Sequence, residues 1–395
     1  MISFDEATEL VAPLVAPLST ETVHLSEAAG RTLAEPVVAH FNAPRVDTSA
    51  MDGYAVRESE INGGRQSYRV VGVSYPGKPF DGEAPAGTTV RIFTGADVPP
   101  TFDRVVTQES VEGSGEEIIL PEHPGQRRHI RKRGSDFCEA DVIVPEGNVV
   151  TPLMLAAIAA TDVSEVQVHR QPNVAILTTG DELAAPGTAS RISYAVPDSL
   201  SVSLAAMIRA SGGTVGDQLR LRDNKAAVAG SEERLIAAHD ITVIAGGASV
   251  GVRDFAKEMF GALNPEFIFN KVAMKPGKPV WLARAGGRFI VGLPGNPGSA
   301  LVTARLFLVP LIAALCGRGY SSALNWRKAT LIEPLEPNGA REDFQRGRYT
   351  ANGIMPISNQ DSSAQAPLAH SNALIRRPVG DRAHGSCGTV YILDF

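Results

Sequence analysis

One repeating pattern between Val166 and Gly319 most limits what this chain can fold into. Three apolar runs, at 174–177, 241–244 and 288–291, each lead into a loop that carries glycine. Helical spacing of apolar residues follows each loop. Strands that alternate with helices in this way are typical of a parallel, doubly wound sheet. The sequence therefore predicts an α/β fold with a central, mostly parallel sheet in this part of the chain.

The segments on either side of this region lack the alternation of strands and helices. Residues 41–137 and 326–395 contain short β-rich runs separated by glycine and proline turns, which predicts two β-rich domains. At the start of the chain, Ser3 and Glu6 have the spacing of a helix capping box. We expect Pro13 to bend or interrupt the helix that follows.

Four helical stretches are predicted within the α/β region, and the last contains the longest apolar run of the chain. That run, 301–315, contains Arg305 and Pro310 and is shorter than the roughly 20 residues of a membrane span. We therefore expect a buried helix and no membrane partner. The four stretches are 199–209, 226–238, 255–262 and 300–315.

Charge and cysteine content restrict the partners and the compartment. The 395 residues carry a net charge of −6, whereas nucleic-acid binding needs a basic excess to neutralise phosphates. A solvated turn or a subunit contact explains the basic run at 127–133 better than nucleic-acid binding does. The three cysteines lie far apart, and the N-terminus is acidic where a signal peptide would be basic. We therefore expect a cytoplasmic protein without disulfides.

The glycine loops, at 178–182, 245–251 and 293–299, are the main candidates for chemistry. In an open parallel sheet, ligands bind at the carboxyl ends of the strands, where backbone amides and helix N-termini attract anions. No loop has the spacing of an ATP-binding P-loop or of a dinucleotide fingerprint, so ATP hydrolysis and hydride transfer have little support. A tight turn explains any single loop equally well.

Carboxylates near these loops indicate a metal site. Asp181 and Glu182 lie on the first loop, Asp217 and Asp223 follow a further strand candidate, and Asp254 begins a helix. Such oxygen ligands beside an anion site suit Mg²⁺, which binds one or two carboxylates together with substrate phosphates. Asp254 is also explained as a helix N-cap. A surface turn explains Asp217 and Asp223 at least as well as a functional role does.

Three lysines, Lys271, Lys275 and Lys278, lie in one short segment between predicted strands. The Pro276-Gly277 pair among them predicts a turn that brings two of these side chains together. Lysine binds phosphate or another oxyanion as a point charge. The alternative is a solvated hairpin.

The string at 47–56 is unusual outside the α/β region. Apolar Met51 and Tyr54 accompany the short polar residues Ser49 and Asp52. We interpret the string as a tight loop that packs against a partner surface. This pattern alone does not identify Asp52 as catalytic.

Seven motifs, taken together and in this order, resemble the molybdopterin molybdotransferase family, to which the C-terminal region of gephyrin is related. The resemblance extends from the first helix to about residue 380, and the joint occurrence is specific although no single motif is. The motifs are Ser-Ala-Met-Asp-Gly-Tyr-Ala at 49–55, Thr-Gly-Ala at 94–96, Arg-Gly-x-Asp at 133–136, Thr-Gly-Asp-Glu-Leu at 179–183, Gly-Gly-x-Ser-Val-Gly at 246–251, Lys-Pro-Gly-Lys-Pro at 275–279 and Leu-Pro-Gly-Asn-Pro at 293–297.

This resemblance implies an α/β plus β protein of four domains that forms an elongated homodimer. In the family, the active cleft lies between the doubly wound domain of one subunit and the β-rich insert of the other, so Asp52 is implied to complete the site in trans. The implied domains are a discontinuous helical and linker domain at 1–40 and 138–165, a β-rich insert at 41–137, a doubly wound molybdopterin-binding domain at 166–320 and a C-terminal β-domain at 321–395.

The resemblance also implies a Mg²⁺-dependent transferase that inserts molybdate into adenylylated molybdopterin and releases AMP. A molybdopterin adenylyltransferase is the implied upstream donor, and Glu182 and Asp254 are the implied metal ligands. The implied catalytic residues are Asp52, Glu182, Asp254, Lys271 and Lys275. The residues implied to bind the cofactor are Thr179, Gly180, Asp181, Gly246, Gly247, Ser249, Gly251, Lys278, Pro294, Gly295, Asn296 and Asp136.

Two other functions remain open at this point. A pterin adenylyltransferase uses a similar doubly wound domain but lacks both β-rich domains. A non-catalytic scaffold, as among gephyrin relatives, would keep the dimer surface and lose the site carboxylates. The sequence also departs from the family, whose members usually carry a bulkier aliphatic residue at Gly298 and a Ser-Ser pair at Ala366 and Pro367.

Overall fold

The computed structural model describes residues 1–113, 115–223, 232–246 and 255–395. Contacts within the chain divide it into two compact units. The larger unit consists of Met1–Glu35, Glu146–Thr151 and Glu165–Phe395, and the insert unit consists of Pro36–Pro145 and Pro152–Ser164. The four-domain division stays a prediction.

The described residues form the following helices and strands. The helices are α1 (Phe4–Val11), α2 (Glu58–Asn62), α3 (Pro152–Ala160), α4 (Ser199–Ala210), α5 (Glu232–Ala238), α6 (Phe255–Glu258), α7 (Pro297–Thr303) and α8 (Val309–Leu315). The strands up to residue 197 are β1 (Thr20–His24), β2 (Val37–Val38), β3 (Thr48–Ser49), β4 (Gly53–Val56), β5 (Ser67–Ser74), β6 (Thr88–Ile92), β7 (Arg104–Thr107), β8 (Glu117–Ile119), β9 (Ile130–Arg131), β10 (Val142–Val144), β11 (Glu165–His169), β12 (Asn173–Thr179), β13 (Leu183–Ala184) and β14 (Val196–Pro197). The later strands are β15 (Thr214–Leu221), β16 (Ile241–Ala245), β17 (Glu266–Phe269), β18 (Met274–Lys275), β19 (Trp281–Ala285), β20 (Arg288–Leu293), β21 (Arg327–Thr330), β22 (Glu342–Thr350), β23 (Gly353–Pro356), β24 (Ala373–Arg377) and β25 (Thr389–Asp394).

A five-stranded sheet with the order β7-β4-β6-β5-β8 forms the centre of the insert unit. β4 pairs antiparallel with β6 and β7, and β5 runs parallel to β6. Successive residues of a strand point to opposite faces. Tyr54 and Val56 therefore pack in one apolar cluster, and Ala55 packs in the other. The predicted β-rich insert is confirmed.

The interpretation of residues 47–56 as a tight loop is wrong, because β3 and β4 lie within the string. β4 is buried along its whole length. A Cβ on Gly53 would lie 2.0 Å from the carbonyl oxygen of Val106, so only glycine lets the neighbouring strand approach. Met51, expected as an apolar anchor, is 41% exposed, whereas Tyr54 is buried. A four-residue strand buried on both faces has no alternation that the sequence could reveal.

The larger unit contains the predicted doubly wound sheet, in the order β15-β12-β16-β20-β19-β17. The first four strands are parallel to one another. β19 runs antiparallel to β20, and β17 runs antiparallel to β19. Apolar clusters cover both faces of the sheet, one with α1, α4, α7 and α8, and the other with α5 and α6. The predicted fold class is confirmed.

One long helix supports this sheet. α7 continues through a π-helical turn at Ala304–Leu308 into α8, so the helix spans 297–315. The π turn precedes Pro310, which has no N–H to donate to a regular helical ladder. By length and composition this helix alone, among the residues that the structure describes, could cross a membrane, but 83% of it is buried. The predicted core helix is confirmed.

The shorter helices match the predictions in part. Ser3 and Glu6 form the expected capping box, and α1 ends at Val11, where a 3₁₀ turn that contains Pro13 begins. α4 agrees with its prediction. The helix predicted at 226–238 is described only as α5, and the one predicted at 255–262 ends at Glu258.

The C-terminal strands form a second sheet of the larger unit, in the order β18-β22-β24-β25-β21, with β23 paired to β22. β18 comes from the lysine segment and pairs in parallel with β22. Phe344, Leu374 and Leu393 of this sheet belong to the same apolar cluster as α1 and the long helix. The C-terminal sheet is therefore packed onto the α/β region through a shared core.

Candidate active site

A cleft of about 390 Å³ opens at the carboxyl ends of β12, β16 and β20, where an open parallel sheet binds its ligands. It lies within the larger unit and contains part of each predicted glycine loop. Of the predicted site residues, those that line it are Thr179, Glu182, Gly246, Gly295 and Asn296. Gly180, Asp181 and Pro294 belong to the same loops without lining the cleft.

Glycine is required where the three loops meet. Gly246 has a φ of +104°, and a Cβ there would lie 2.6 Å from the carbonyl and hydroxyl oxygens of Thr179. A Cβ on Gly295 would lie 3.4 Å from the Cα of Gly246. The loops therefore approach backbone to backbone, which leaves space for a ligand above them. Gly247, Ser249, Gly251 and Asp254 lie outside the described residues.

A group of carboxylates occupies one side of the cleft. The pKa of Asp223 is raised by partial desolvation and by the negative charges of Glu182 and Asp181, and the hydroxyl of Thr179 offsets part of this effect. Because Leu221 pairs with Thr179 in the sheet, the residues after β15 lie beside the first glycine loop. Asp223 is exposed in a bend after β15 and also lines the cleft, so the surface interpretation and a role in the cleft both fit its position.

Asp217, for which the sequence left the same two interpretations open, lies elsewhere. It is on the edge strand β15, with a side chain 55% exposed and a carboxylate oxygen 3.9 Å from His239 Nε2. It does not line the cleft. The surface interpretation describes Asp217.

Asp198 is a cleft residue that the sequence did not indicate. Its carboxylate is 2% exposed and caps α4 by accepting a hydrogen bond from the backbone N–H of Ser201. It also accepts hydrogen bonds from Thr178 Oγ1 at 2.9 Å and from Arg220 Nε at 3.2 Å. Asp198 therefore ties β12, β15 and α4 together at the cleft.

The oxygen ligands of the cleft fit Mg²⁺ bound together with a phosphate. Within the described ranges, no group of three or more His, Cys, Asp or Glu side chains is placed to hold a metal ion. Mg²⁺ needs only one or two carboxylates when phosphate oxygens supply the other ligands. Glu182 and Asp223 meet this requirement, and a cation between them would relieve the repulsion that raises the pKa of Asp223.

The three lysines do not line the cleft. Lys275 ends β18 and pairs with Asp343 of β22, and its Nζ is 3.8 Å from the Asp343 carboxylate. The Lys275 side chain is 57% exposed. Lys271 is exposed and Lys278 is half-buried. The C-terminal sheet therefore holds the backbone of the lysine segment and leaves the ammonium groups accessible.

In the insert unit, Asp52 lies in the turn between β3 and β4. One carboxylate oxygen accepts hydrogen bonds from the backbone N–H and the hydroxyl of Thr94, at 2.7 and 2.8 Å. These two bonds, with a smaller contribution from the charge of Arg91, hold the pKa of Asp52 below its usual value. Asp52 is therefore an oriented, ionised carboxylate at neutral pH.

The other predicted residue of the insert unit, Asp136, is exposed next to the basic run. Within that run, Arg128 pairs with Glu58 and Lys132 pairs with Asp47. Acidic partners within the same unit thus neutralise part of the run, as expected for a solvated turn.

Three family models match successive parts of the chain. The MoeA N-terminal region (domain I and II) matches residues 2–161, a probable molybdopterin binding domain matches residues 175–314, and the MoeA C-terminal region (domain IV) matches residues 328–393. Together they cover most of the chain, including both β-rich regions.

Individual relatives match the chain over nearly its whole length. A molybdopterin molybdenumtransferase of Haemophilus influenzae is 37% identical over 95% of this chain and 94% of that protein. Molybdopterin molybdenumtransferase 2 of Mycobacterium tuberculosis is 33% identical over 96% of each chain. The crystal structure of a molybdopterin biosynthesis MoeA protein from Pyrococcus horikosii superposes with a TM-score of 0.84 at 25% identity, covering 99% of this chain and 98% of that one.

Proposed function

Since the chain belongs to the molybdopterin molybdenumtransferase family of molybdenum cofactor biosynthesis, we propose that it inserts molybdate into adenylylated molybdopterin and releases AMP. The observation that carries this proposal is the cleft, in which three glycine loops meet beside Glu182 and Asp223. The start of the long helix at Asn296 and Pro297 lines the cleft and attracts phosphate oxygens. The neighbouring carboxylates bind the cation that a phosphoanhydride requires.

We propose that Glu182 and Asp223 hold Mg²⁺ in this cleft, together with Asp254 outside the described residues. When bound, Mg²⁺ polarises the phosphoanhydride and stabilises the charge on the departing AMP. Asp198 stabilises the conformation of the cleft, because its buried carboxylate links β12 and β15 to the start of α4. Lys271, Lys275 and Lys278 do not line the cleft, and we propose that they bind molybdate and phosphate oxygens that extend beyond it.

We further propose a homodimer in which Asp52 of the partner subunit completes each cleft. Two hydrogen bonds from Thr94 hold the Asp52 carboxylate ionised. A carboxylate in this state suits the orientation of a water or of the substrate better than it suits proton uptake. An exposed apolar surface on α3 supports the proposed homodimer. This helix is apolar and leaves Leu153 85% exposed, and a second copy of the chain would cover this surface.

The two other functions are less well supported. A pterin adenylyltransferase needs only the doubly wound domain, whereas the relatives match this chain through both β-rich regions. A non-catalytic scaffold would not need an acidic cleft. An adenylyltransferase is instead the expected donor of the substrate, and we expect both proteins to act in the cytoplasm.

The reaction is tested with purified protein, adenylylated molybdopterin, molybdate and Mg²⁺, by following AMP release and molybdenum bound to the pterin. We expect both products to form in equal amounts and only with all three components. Formation of adenylylated molybdopterin from ATP and molybdopterin would instead identify an adenylyltransferase. Absence of AMP release with every component present would contradict the proposal.

A further inference from the structure

One side of the cleft is formed by the segment 359–365, which belongs to the C-terminal sheet region. Ser363 and Gln365 of this segment line the cleft. The segment is held by Arg346, which is 1% exposed and donates hydrogen bonds from its guanidinium to three backbone carbonyl oxygens. The acceptors are Asn359 at 3.2 Å, Asp361 at 2.9 Å and Ala364 at 3.3 Å.

The same segment is fixed to the third glycine loop. Asn296 Nδ2 donates to Ser362 Oγ at 3.0 Å, and the backbone N–H of Gly298 donates to the Ser362 carbonyl at 2.8 Å. A Cβ on Gly298 would lie 2.8 Å from that carbonyl oxygen and 3.0 Å from Arg346 Nη1. The departure from the family at Gly298 therefore has a structural reason, which is the close approach of segment 359–365.

Most polar groups of this segment have partners, whereas the side chain of Gln365 has none among the residues that the structure describes. Ser363 Oγ donates to Asp361 Oδ1 at 2.8 Å, and Ser362 Oγ accepts from Asn296. The Gln365 amide makes no hydrogen bond to any described residue, although it lines the cleft. The segment therefore presents an exposed carboxamide, with two N–H donors and one carbonyl acceptor, to a ligand in the cleft.

We propose that Gln365 is a specificity-determining residue that binds the polar edge of the planar heterocycle of the substrate. This inference rests on the proposed function. Leu183, Val196 and Leu200 also line the cleft and supply apolar contacts for the faces of a ring. The pterin and the adenine of adenylylated molybdopterin both carry neighbouring donor and acceptor atoms on a ring edge, so either could be the group that Gln365 contacts.

Binding of the two halves of the substrate tests this proposal. Molybdopterin and AMP are titrated separately against the full-length protein and its Gln365→Leu variant, which keeps the size of the side chain and removes the amide. We expect one ligand to bind about tenfold more weakly to the variant while the other is unaffected, because a lost hydrogen bond acts only on its own partner. The affected ligand identifies the heterocycle that Gln365 contacts. With the complete substrate, we expect a higher KM and an unchanged kcat.

Two substitutions separate recognition from support. Gly298→Ala should displace the segment and weaken the same ligand as Gln365→Leu, whereas Gly339→Ala, where a Cβ meets open space, should not. Unchanged binding of both ligands to Gln365→Leu would overturn the proposal, and so would equal weakening of both. If the unmodified protein binds neither ligand, the proposed function itself fails.

Discussion

At the scale of single residues, Asp223 lines the cleft, where the negative charges of Glu182 and Asp181 disfavour its ionised form. Its pKa is raised by partial desolvation and by the charges of Glu182 and Asp181. The folded chain therefore binds this proton more tightly than the unfolded chain, so stability falls as pH rises through the folded-state pKa. Above that pKa the carboxylate is ionised and is repelled by the neighbouring carboxylates.

We predict that Asp223→Asn raises the thermal midpoint slightly at neutral pH and lowers activity at least about tenfold, because it removes both the repulsion and a Mg²⁺ ligand. Thermal unfolding at neutral pH and Mg²⁺ titrations of AMP release measure the two effects. Asp217→Asn, on the strand that precedes Asp223, is the control, and it should change neither. Full activity of Asp223→Asn at low Mg²⁺ would remove Asp223 from the metal site.

The cleft residues that the sequence did not indicate escaped prediction for one reason. Asp198 looks like an ordinary polar residue before a helix, and only the structure shows its contacts with β12 and β15. Gln365 is separated along the chain from every glycine loop, and it reaches the cleft because Arg346 and Asn296 fix its segment there. Contacts of this kind depend on tertiary packing, which local spacing does not report.

At the scale of secondary structure, Asp240 joins the strands of the doubly wound sheet at the edge opposite the cleft. It precedes β16 and is 4% exposed. Arg170 donates two hydrogen bonds to its carboxylate, both at 2.8 Å, Arg288 donates a third, and the N–H of Asn173 donates a fourth. These groups lie at the starts of β12, β16 and β20.

We predict that Asp240→Asn lowers the free energy of unfolding by about 3 kcal/mol at neutral pH, because it leaves two arginines without their buried counter-charge. Burial raises the pKa of Asp240, but the bonds from Arg170 and Asn173 outweigh this and lower it. The stabilisation is therefore present above the unfolded pKa and is lost as pH falls through the folded pKa, so the difference between the two proteins should shrink in acid.

Chemical denaturation at neutral and acid pH checks this prediction. The kcat is measured alongside and should not change, because Asp240 lies at the ends of the strands opposite the cleft. Asp394→Asn, which removes an exposed partner of Arg327, is the control and should cost less than about 1 kcal/mol. An equal loss in the two variants would show that Asp240 does not hold the sheet together.

The sequence predicts some secondary-structure elements more clearly than others. β12, β16 and β20 were predictable because strands buried on both faces of a parallel sheet are continuous apolar runs bounded by glycine loops. β4 is equally buried but only four residues long, and it follows a polar turn that dominates the pattern. The lysine segment was placed between strands, but its pairing with β22 depends on a region that lies almost seventy residues further along the chain.

At the scale of the whole molecule, the residues of the proposed site lie in two separate units. The larger unit supplies the cleft with Glu182 and Asp223, and the insert unit supplies Asp52 in a turn that Thr94 holds rigidly. The resemblance to a family predicted this division, whereas composition and periodicity could not have related Asp52 to the cleft. We propose that each active site combines Glu182 of one subunit with Asp52 of the other.

Mixed dimers test this claim most directly. Asp52→Ala and Glu182→Gln chains are each expected to be inactive alone while remaining folded and dimeric. When the two chains are unfolded, mixed in equal amounts and refolded, about half of the dimers contain one of each, and each of these has one intact site if the residues meet across subunits. We predict that the mixture recovers about a quarter of the AMP release of the unmodified protein. No recovery from dimers shown to be mixed would contradict the proposal that the two residues meet across subunits.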